Sequence, residues 1–311
     1  MPWLLFAAGN HLGLDKSNRL SHIERRNFMN NWADEYLNNH GLNLHYYRSG
    51  GNKPPVVINH GAGDDGLCWT RIARILENDY DVILPDARGH GKSDSGEGNY
   101  STAARITDLA IILEKLDLNR PVIGGHSLGA DTCLHYAAAY PDRVGGVFLE
   151  DPPLVLPGDV FTVGGRTINT DQAGKLMARM MLLYKLMPKF IGIRMARKMS
   201  PTYPDDEIIP WVNSKRRVSF DFLKVLPAMG VHQMHPFEAF TKVTVPILLF
   251  TGDREKMAIV SQEAAELVVK INDRVEVVHL EGASHDIRRT RFDGYMPALQ
   301  SFLSSTSKQT G

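Results

Sequence analysis

The sequence predicts an α/β fold: a mainly parallel sheet with helices on both faces and a helical lid inserted into it. Two observations carry this. Short apolar runs bounded by Gly, Pro or Asp, as parallel strands buried on both faces should be, alternate with segments of helical period. Near Asp151-Pro152-Pro153 that rhythm stops, and it resumes at Pro246. In between, residues 152–240 read as helices broken at Pro188, Pro201, Pro204, Pro210 and Pro227, without strand-like runs.

Taken in order, Leu42 to Arg48 alternates and predicts an early strand, followed by strands at Val56 to Asn59, Val82 to Pro85, Val122 to Gly124 and Val147 to Leu149. Helices are expected between them at Trp69–Glu77, Thr102–Leu116 and Leu128–Ala139. After the insertion come a strand at Pro246–Thr251, a helix at Ser261–Ile271, a strand at Val275–Leu280 and a closing helix at Arg291–Leu303. Residues 1–28 are polar and irregular, with Arg19, Glu24, Arg25 and Arg26 scattered through them. The expected division is an extension over 1–28, a core formed by 29–151 and 241–311, and a lid over 152–240. Nothing repeats internally. The lid differs in composition, holding eight of the twelve methionines and 12 Lys+Arg against 7 Asp+Glu.

Of the 311 residues, 43% are apolar and 23% charged, a globular composition. Lys+Arg and Asp+Glu number 35 each, so no global charge draws the chain to nucleic acid or to an anionic surface. Cys68 and Cys133 are too few for a disulfide framework and lack zinc spacing, which fits a reducing, cytoplasmic compartment. No apolar run reaches the length of a membrane span; the best, Pro2 to Gly9, reads as neither anchor nor signal peptide. Trp3-Leu4-Leu5-Phe6 reads as an apolar segment that packs on something, another subunit included.

Gly125-His126-Ser127-Leu128-Gly129 is a G-x-S-x-G set directly after a predicted strand and before a helix. Small residues two before and two after the serine permit a turn sharp enough to push Oγ out above the sheet. Such a hydroxyl needs a base for its proton and donors for the oxygen that becomes negative. Asn59-His60-Gly61-Ala62-Gly63, after the strand Val56–Ile58, supplies the second, so the amides of Ala62 and Leu128 are the candidate oxyanion donors. No metal-ligating pattern and no cofactor motif stands out, and neither is expected.

These motifs resemble the α/β-hydrolase fold family over about Asn30 to Leu303. The likeness rests on His60-Gly61-Ala62-Gly63, Asp86-Ala87-Arg88-Gly89-His90-Gly91-Lys92-Ser93, the serine turn with Tyr140-Pro141-Asp142-Arg143-Val144 after it, and Gly282-Ala283-Ser284-His285. The resemblance implies an eight-stranded sheet, a lid between strands six and seven, and cofactor-free hydrolysis of esters, lactones, amides or related bonds. It also implies the order nucleophile, acid, histidine, which makes His285 the candidate base. The acid stays open. Relatives usually place an Asp three residues after the Gly of Thr251-Gly252-Asp253-Arg254-Glu255, where this chain has Glu255, with Asp253 one residue after that Gly. A minority, including some dehalogenases and mycotoxin lactonases, take it from the end of strand six, here Asp151 beside Glu150.

Other residues carry plainer readings. His135 reads as packed in its helix, Cys133 as a small core residue, and the Asp86–Ser93 segment with Arg88 as structural. His232 and His235 flank the lid's end and are candidates to touch substrate. Met177, Met180 and Met181 recur at helical spacing with Leu176, Leu183 and Tyr184, as either core or a pliable apolar wall. Lys215-Arg216-Arg217 fits a solvated face as well as it fits attraction of a carboxylate. The function expected is a serine hydrolase of a carboxylic ester or lactone of a small, largely apolar molecule. Hydrolysis of a carbon–carbon bond, or a slow-turnover ligand receptor on the same fold, are the alternatives.

Overall fold

The computed structural model describes residues 32–163, 166–229 and 236–307. An eight-stranded sheet organises them, with strands β1 (Ala33–Asn39), β2 (Leu42–Arg48), β3 (Pro55–Asn59), β4 (Asp81–Pro85), β5 (Val122–His126), β6 (Gly146–Glu150), β9 (Ile247–Thr251) and β10 (Val275–His279). Their spatial order is β1-β2-β4-β3-β5-β6-β9-β10. β2 runs against both its neighbours, and every other pairing is parallel.

Every residue of β4, β5, β6 and β9 is buried, which explains their unbroken apolar runs. Alternate side chains serve opposite faces. Val147 and Leu149 join a core with Leu109, Ile112, Leu134 and Val268 from helices α2 (Thr102–Lys115), α3 (Leu128–Ala139) and α9 (Gln262–Ile271). Phe148, between them, points the other way, to Trp69 just before α1 (Thr70–Leu76), the ring centroids 6.4 Å apart. On that side Phe250 stacks at 4.1 Å on Tyr295 of α11 (Phe292–Ser307). The closing helix expected at Arg291–Leu303 is preceded by one short turn, α10 (Ile287–Thr290), and runs on to Ser307.

One strand is absent from the sequence reading, and one expectation needs correction. β1 has no apolar run to announce it; it is an edge strand, largely exposed, whose polar residues suit a sheet border. Within 152–240, read as free of strands, β7 (Phe161–Val163) and β8 (Arg166–Ile168) pair antiparallel as a hairpin too short to show alternation. Its helices are α4 (Thr170–Leu186), α5 (Lys189–Met199), α6 (Asp205–Arg217), α7 (Phe220–Val225) and α8 (Pro236–Phe240). Asn169 and Gln172 cap α4 reciprocally, and α6 sets Asp205, Asp206 and Glu207 in its first turn against Lys215, Arg216 and Arg217 in its last, opposing its dipole. His232, His235 and residues 1–28 lie outside the described residues. Among the described residues no helix is long and apolar enough to cross a membrane.

The serine turn depends on its glycines sterically. A Cβ on Gly125 would stand 2.2 Å from the Asn59 carbonyl oxygen, and one on Gly129 would stand 2.4 Å from the same atom. Backbone atoms cannot step aside as a flexible side chain can. Gly125→Ala is therefore expected to lower unfolding free energy by about 2 kcal/mol or more, read as a lower urea midpoint; an unchanged midpoint would show that the two strands are not this close.

Candidate active site

Parallel pairing brings the strand ends to one edge of the sheet. His126 pairs with Glu150, and Glu150 with Phe250, so the residues that follow β5 and β6, Ser127 and Asp151, emerge as neighbours. The Ser127 N–H donates to the Glu150 carbonyl at 2.9 Å, extending the pairing one step past the strand. Both residues then leave ordinary backbone space: φ is +51° at Ser127 and +43° at Asp151. Side-chain-bearing residues seldom hold such angles, and strain of this kind gathers at working sites. Ser127 stands where a helix cap would, yet its hydroxyl makes no cap bond.

His285 comes from the loop after β10. Its Nδ1–H donates to Asp151 Oδ2 at 2.6 Å. The buried Asp151 carboxylate also accepts the Ile259 N–H at 2.7 Å and the Val260 N–H at 3.0 Å, so its direction is fixed from three sides. Burial pushes the His285 imidazole down, but the hydrogen bond and charge of Asp151 outweigh it and hold the ring above its ordinary 6.5. Of the three carboxylates open in the sequence, this is the one that meets His285. Asp253 instead accepts the Gly282 N–H at 2.9 Å and lies 3.4 Å from His279 Nε2, bracing the loop that leads to His285. Glu255 points into solvent. Glu150, beside Asp151, turns to the opposite side and pairs with Arg288 at 2.9 Å.

The Asn59–Gly63 turn faces this pair. Asp64 N–H closes it on the Gly61 carbonyl at 3.1 Å with Gly63 at φ +75°, leaving the Ala62 N–H outside the turn's own bond. Leu128 is the first residue of α3, so its N–H has no acceptor within the helix. Two buried histidines hold the turn. His60 Nδ1–H donates to the Gly61 carbonyl at 2.9 Å while Nε2 accepts the Ala87 N–H at 2.9 Å. His90 Nδ1–H donates to the Arg88 carbonyl at 2.9 Å while Nε2 accepts the Gly63 N–H at 3.0 Å. One donor and one acceptor apiece require neutral rings, and burial drives both down, His90 to about 3. The Asp86–Ser93 segment is thus a support of the turn, with Arg88 bound to Asp108 away from the site.

A buried ion network was hidden in the sequence. Lys215, open to reading as solvated, is buried; its ammonium bonds the Gly63 carbonyl at 3.0 Å and the Asp64 carboxylate. Arg289 spans Asp64 at 2.9 Å, Glu207 at 3.1 Å and Asp286, and Arg217 pairs with Asp65. Only Arg216 of that basic triplet is exposed. Helix α6 is thereby tied both to the Asn59–Gly63 turn and to the segment after His285. The alternation Glu207…Lys215 on one helix was its sole trace in the sequence, and spacing alone does not reveal burial.

Asp64, His126 and Asp286 bring their ligand atoms within 4.8 Å of one another, the one trio among the described residues with metal-like spacing. Lys215, Arg289 and Arg288 already surround Asp64 and hold its carboxyl well below the usual range, so a further cation would meet fixed positive charge. His126 donates from Nε2 to the His285 carbonyl at 3.0 Å, with the two rings 4.4 Å apart. Its Nδ1 is buried without a hydrogen-bond partner among the described residues. Above the turn, Met181 packs onto Gly63, and Ala62, Leu128, Met177 and Met229 pack against a buried cluster containing Met181 and Phe222. Cys68 and Cys133 are free thiols, both buried, and Cys133 Sγ donates to the Gly124 carbonyl at 3.3 Å.

Residues 54–287 match the profile of the alpha/beta hydrolase fold. An uncharacterized protein of Mycobacterium tuberculosis is 35% identical over 103 residues, 33% of this chain and 30% of that protein, so the chain aligns with under a third of that relative's length. A 2-(acetamidomethylene)succinate hydrolase of Mesorhizobium japonicum is 26% identical over 266 residues, covering 82% of this chain and 90% of the relative. The crystal structure of an E-2-(acetamidomethylene)succinate hydrolase superposes with a TM-score of 0.72 at 21% identity, over 88% of this chain and 99% of that one.

Two outcomes follow from the geometry. In an NMR titration, Asp151→Asn lowers the His285 pKa, whereas Asp253→Asn leaves it unchanged; equal shifts would dismiss the Asp151 contact. Lys215→Met leaves the Gly63 carbonyl and one Asp64 oxygen unpaired in the interior and costs about 2–4 kcal/mol in chemical denaturation.

Proposed function

The chain belongs to the alpha/beta hydrolase fold family, and on that premise we propose that it is a serine hydrolase opening a carboxylic ester or lactone of a small, largely apolar molecule. The observation that carries the proposal is the His285–Asp151 pair beside a serine held at a strained strand-to-helix turn. Ser127 Oγ attacks the substrate carbonyl while His285 Nε2 takes its proton, and Asp151 keeps the ring in the Nδ1–H form and steadies the imidazolium. The carbonyl oxygen, now negative, receives the N–H groups of Ala62 and Leu128. As the tetrahedral intermediate collapses, His285 returns the proton to the leaving alcohol oxygen. Water then repeats the sequence on the acyl-enzyme, releasing the acid and restoring Ser127.

Residues 152–240 serve in this proposal as the lid. The cluster around Met181 and Phe222, with Met177 and Met229 packed on it beside Ala62 and Leu128, supplies an apolar, adaptable wall above the reacting carbonyl. That wall supports a preference for apolar acyl or alcohol groups. The free thiols of Cys68 and Cys133 accord with work in a reducing compartment, the cytoplasm.

Hydrolysis of short- to medium-chain aryl esters and of simple lactones tests the proposal. Ser127→Ala is expected to abolish both turnover and labelling by a fluorophosphonate; persistent labelling would place the nucleophile elsewhere. Asp151→Asn loses about 10⁴-fold in kcat, and Asp253→Asn far less. The base works only when neutral, so kcat/KM falls as pH drops through the His285 pKa, and the acid limb lies above 6.5.

A further inference from the structure

Helices α4 and α5 stand apart from the rest of the surface. Over residues 170–199 there are seven Lys and Arg against one acid, Asp171, in a chain whose totals balance. The same helices hold much of the exposed apolar surface. Leu186 is 67% and Phe190 74% exposed, among the largest values for apolar side chains, and Leu176, Met180, Leu182 and Leu183 are open as well. On α4 these side chains share one half of the helix. Ala178, Met181 and Tyr184 fill the other half and are buried within the insertion. A helix apolar on both halves but covered on only one has a face without its partner.

We propose that the outer face of α4 and α5 is a docking surface for an anionic lipid bilayer, on which the protein rests without crossing it. Cations are interleaved with the apolar groups along the same face, with Lys175 and Arg179 beside Leu176 and Arg194 one turn beyond Phe190. Their alkyl stems lie along the apolar boundary while the charged ends reach headgroup phosphates. Near the α4–α5 corner Lys185 Nζ lies 4.7 Å over the half-exposed ring of Phe220, adding one more aromatic to the patch. Arg197 is already paired with Asp205 and Lys185 donates to the Arg216 carbonyl, and the other cations of these helices leave the face with a local positive excess that the neutrality of the whole chain conceals. A second copy fits the face poorly, because pairing like faces would set one excess of positive charge against another.

The test is cosedimentation of the full chain with vesicles of equimolar phosphatidylglycerol and phosphatidylcholine, compared with phosphatidylcholine alone. Binding to the anionic vesicles is expected, falling at least tenfold at about 0.5 M salt. It should fall tenfold or more in the Leu186→Ser/Phe190→Ser double variant and in Arg194→Glu. Soluble-ester turnover should not change in either, and since sedimentation is read without any substrate, failure of the docking is separable from failure of the hydrolase reading. Absence of binding to anionic vesicles overturns the proposal, as does equal binding by the variants. Self-association, or retention on a polyglutamate matrix, without vesicle binding would assign the face to a second copy or an acidic protein and overturn it too.

Discussion

The register between β5 and β6 is the constraint on which the site depends. It sets Ser127 and Asp151 one residue beyond adjacent parallel strands, and the bond from Ser127 N–H to the Glu150 carbonyl holds that step. A slip of one residue would send each side chain to the opposite face of the sheet. The buried core on both faces makes that slip prohibitive, so packing far from Ser127 and Asp151 decides where they stand. The positive φ values of Ser127 and Asp151 are tolerated for the same reason, since the surrounding sheet leaves the chain no other exit.

Next in importance is the manner in which the insertion is joined to the core. A lid resting on apolar contacts alone could rock as a body. Here α6 sends Glu207, Lys215 and Arg217 into the interior, where they meet Arg289, Asp64 and Asp65. Separating those charges would strand them in a medium that solvates them poorly. The anchored part of the insertion is therefore α6. Lys215 touches the same turn that carries the Ala62 N–H, so the insertion and the Asn59–Gly63 turn are joined through one side chain.

Much of the fold was legible because its signal is local. Buried parallel strands advertise themselves as apolar runs, and the glycines of the serine turn are demanded by atoms only a few residues away in the pattern. The serine turn, His285 and the Ala62 turn were picked out by motif and chain order, and the structure sets them at the same end of the sheet as Asp151. The carboxylate did not, because the contact between Asp151 and His285 spans 134 residues and depends on which loop the sheet carries closer. Asp253 occupies the loop where sequence reasoning looks first, yet its oxygens are taken by Gly282 N–H and His279. β1 escaped because an exposed edge strand needs no apolar residues. Lys215 escaped because burial of a charge leaves no mark on its neighbours in sequence.

The two neutral histidines beneath the Asn59–Gly63 turn carry a consequence for tolerance of acid. Both rings resist protonation in the folded chain, His90 down to about 3, whereas an unfolded chain takes up those protons near 6.5. Their contribution to folding is whole above 6.5 and drains away as pH falls from there through each ring's own lowered value, about 3 for His90. His285, whose pKa is raised, works in the opposite sense: its share is whole below 6.5 and is lost as pH rises through its own value. Acidification thus strengthens the Asp151–His285 contact while loosening the Asn59–Gly63 turn across from it.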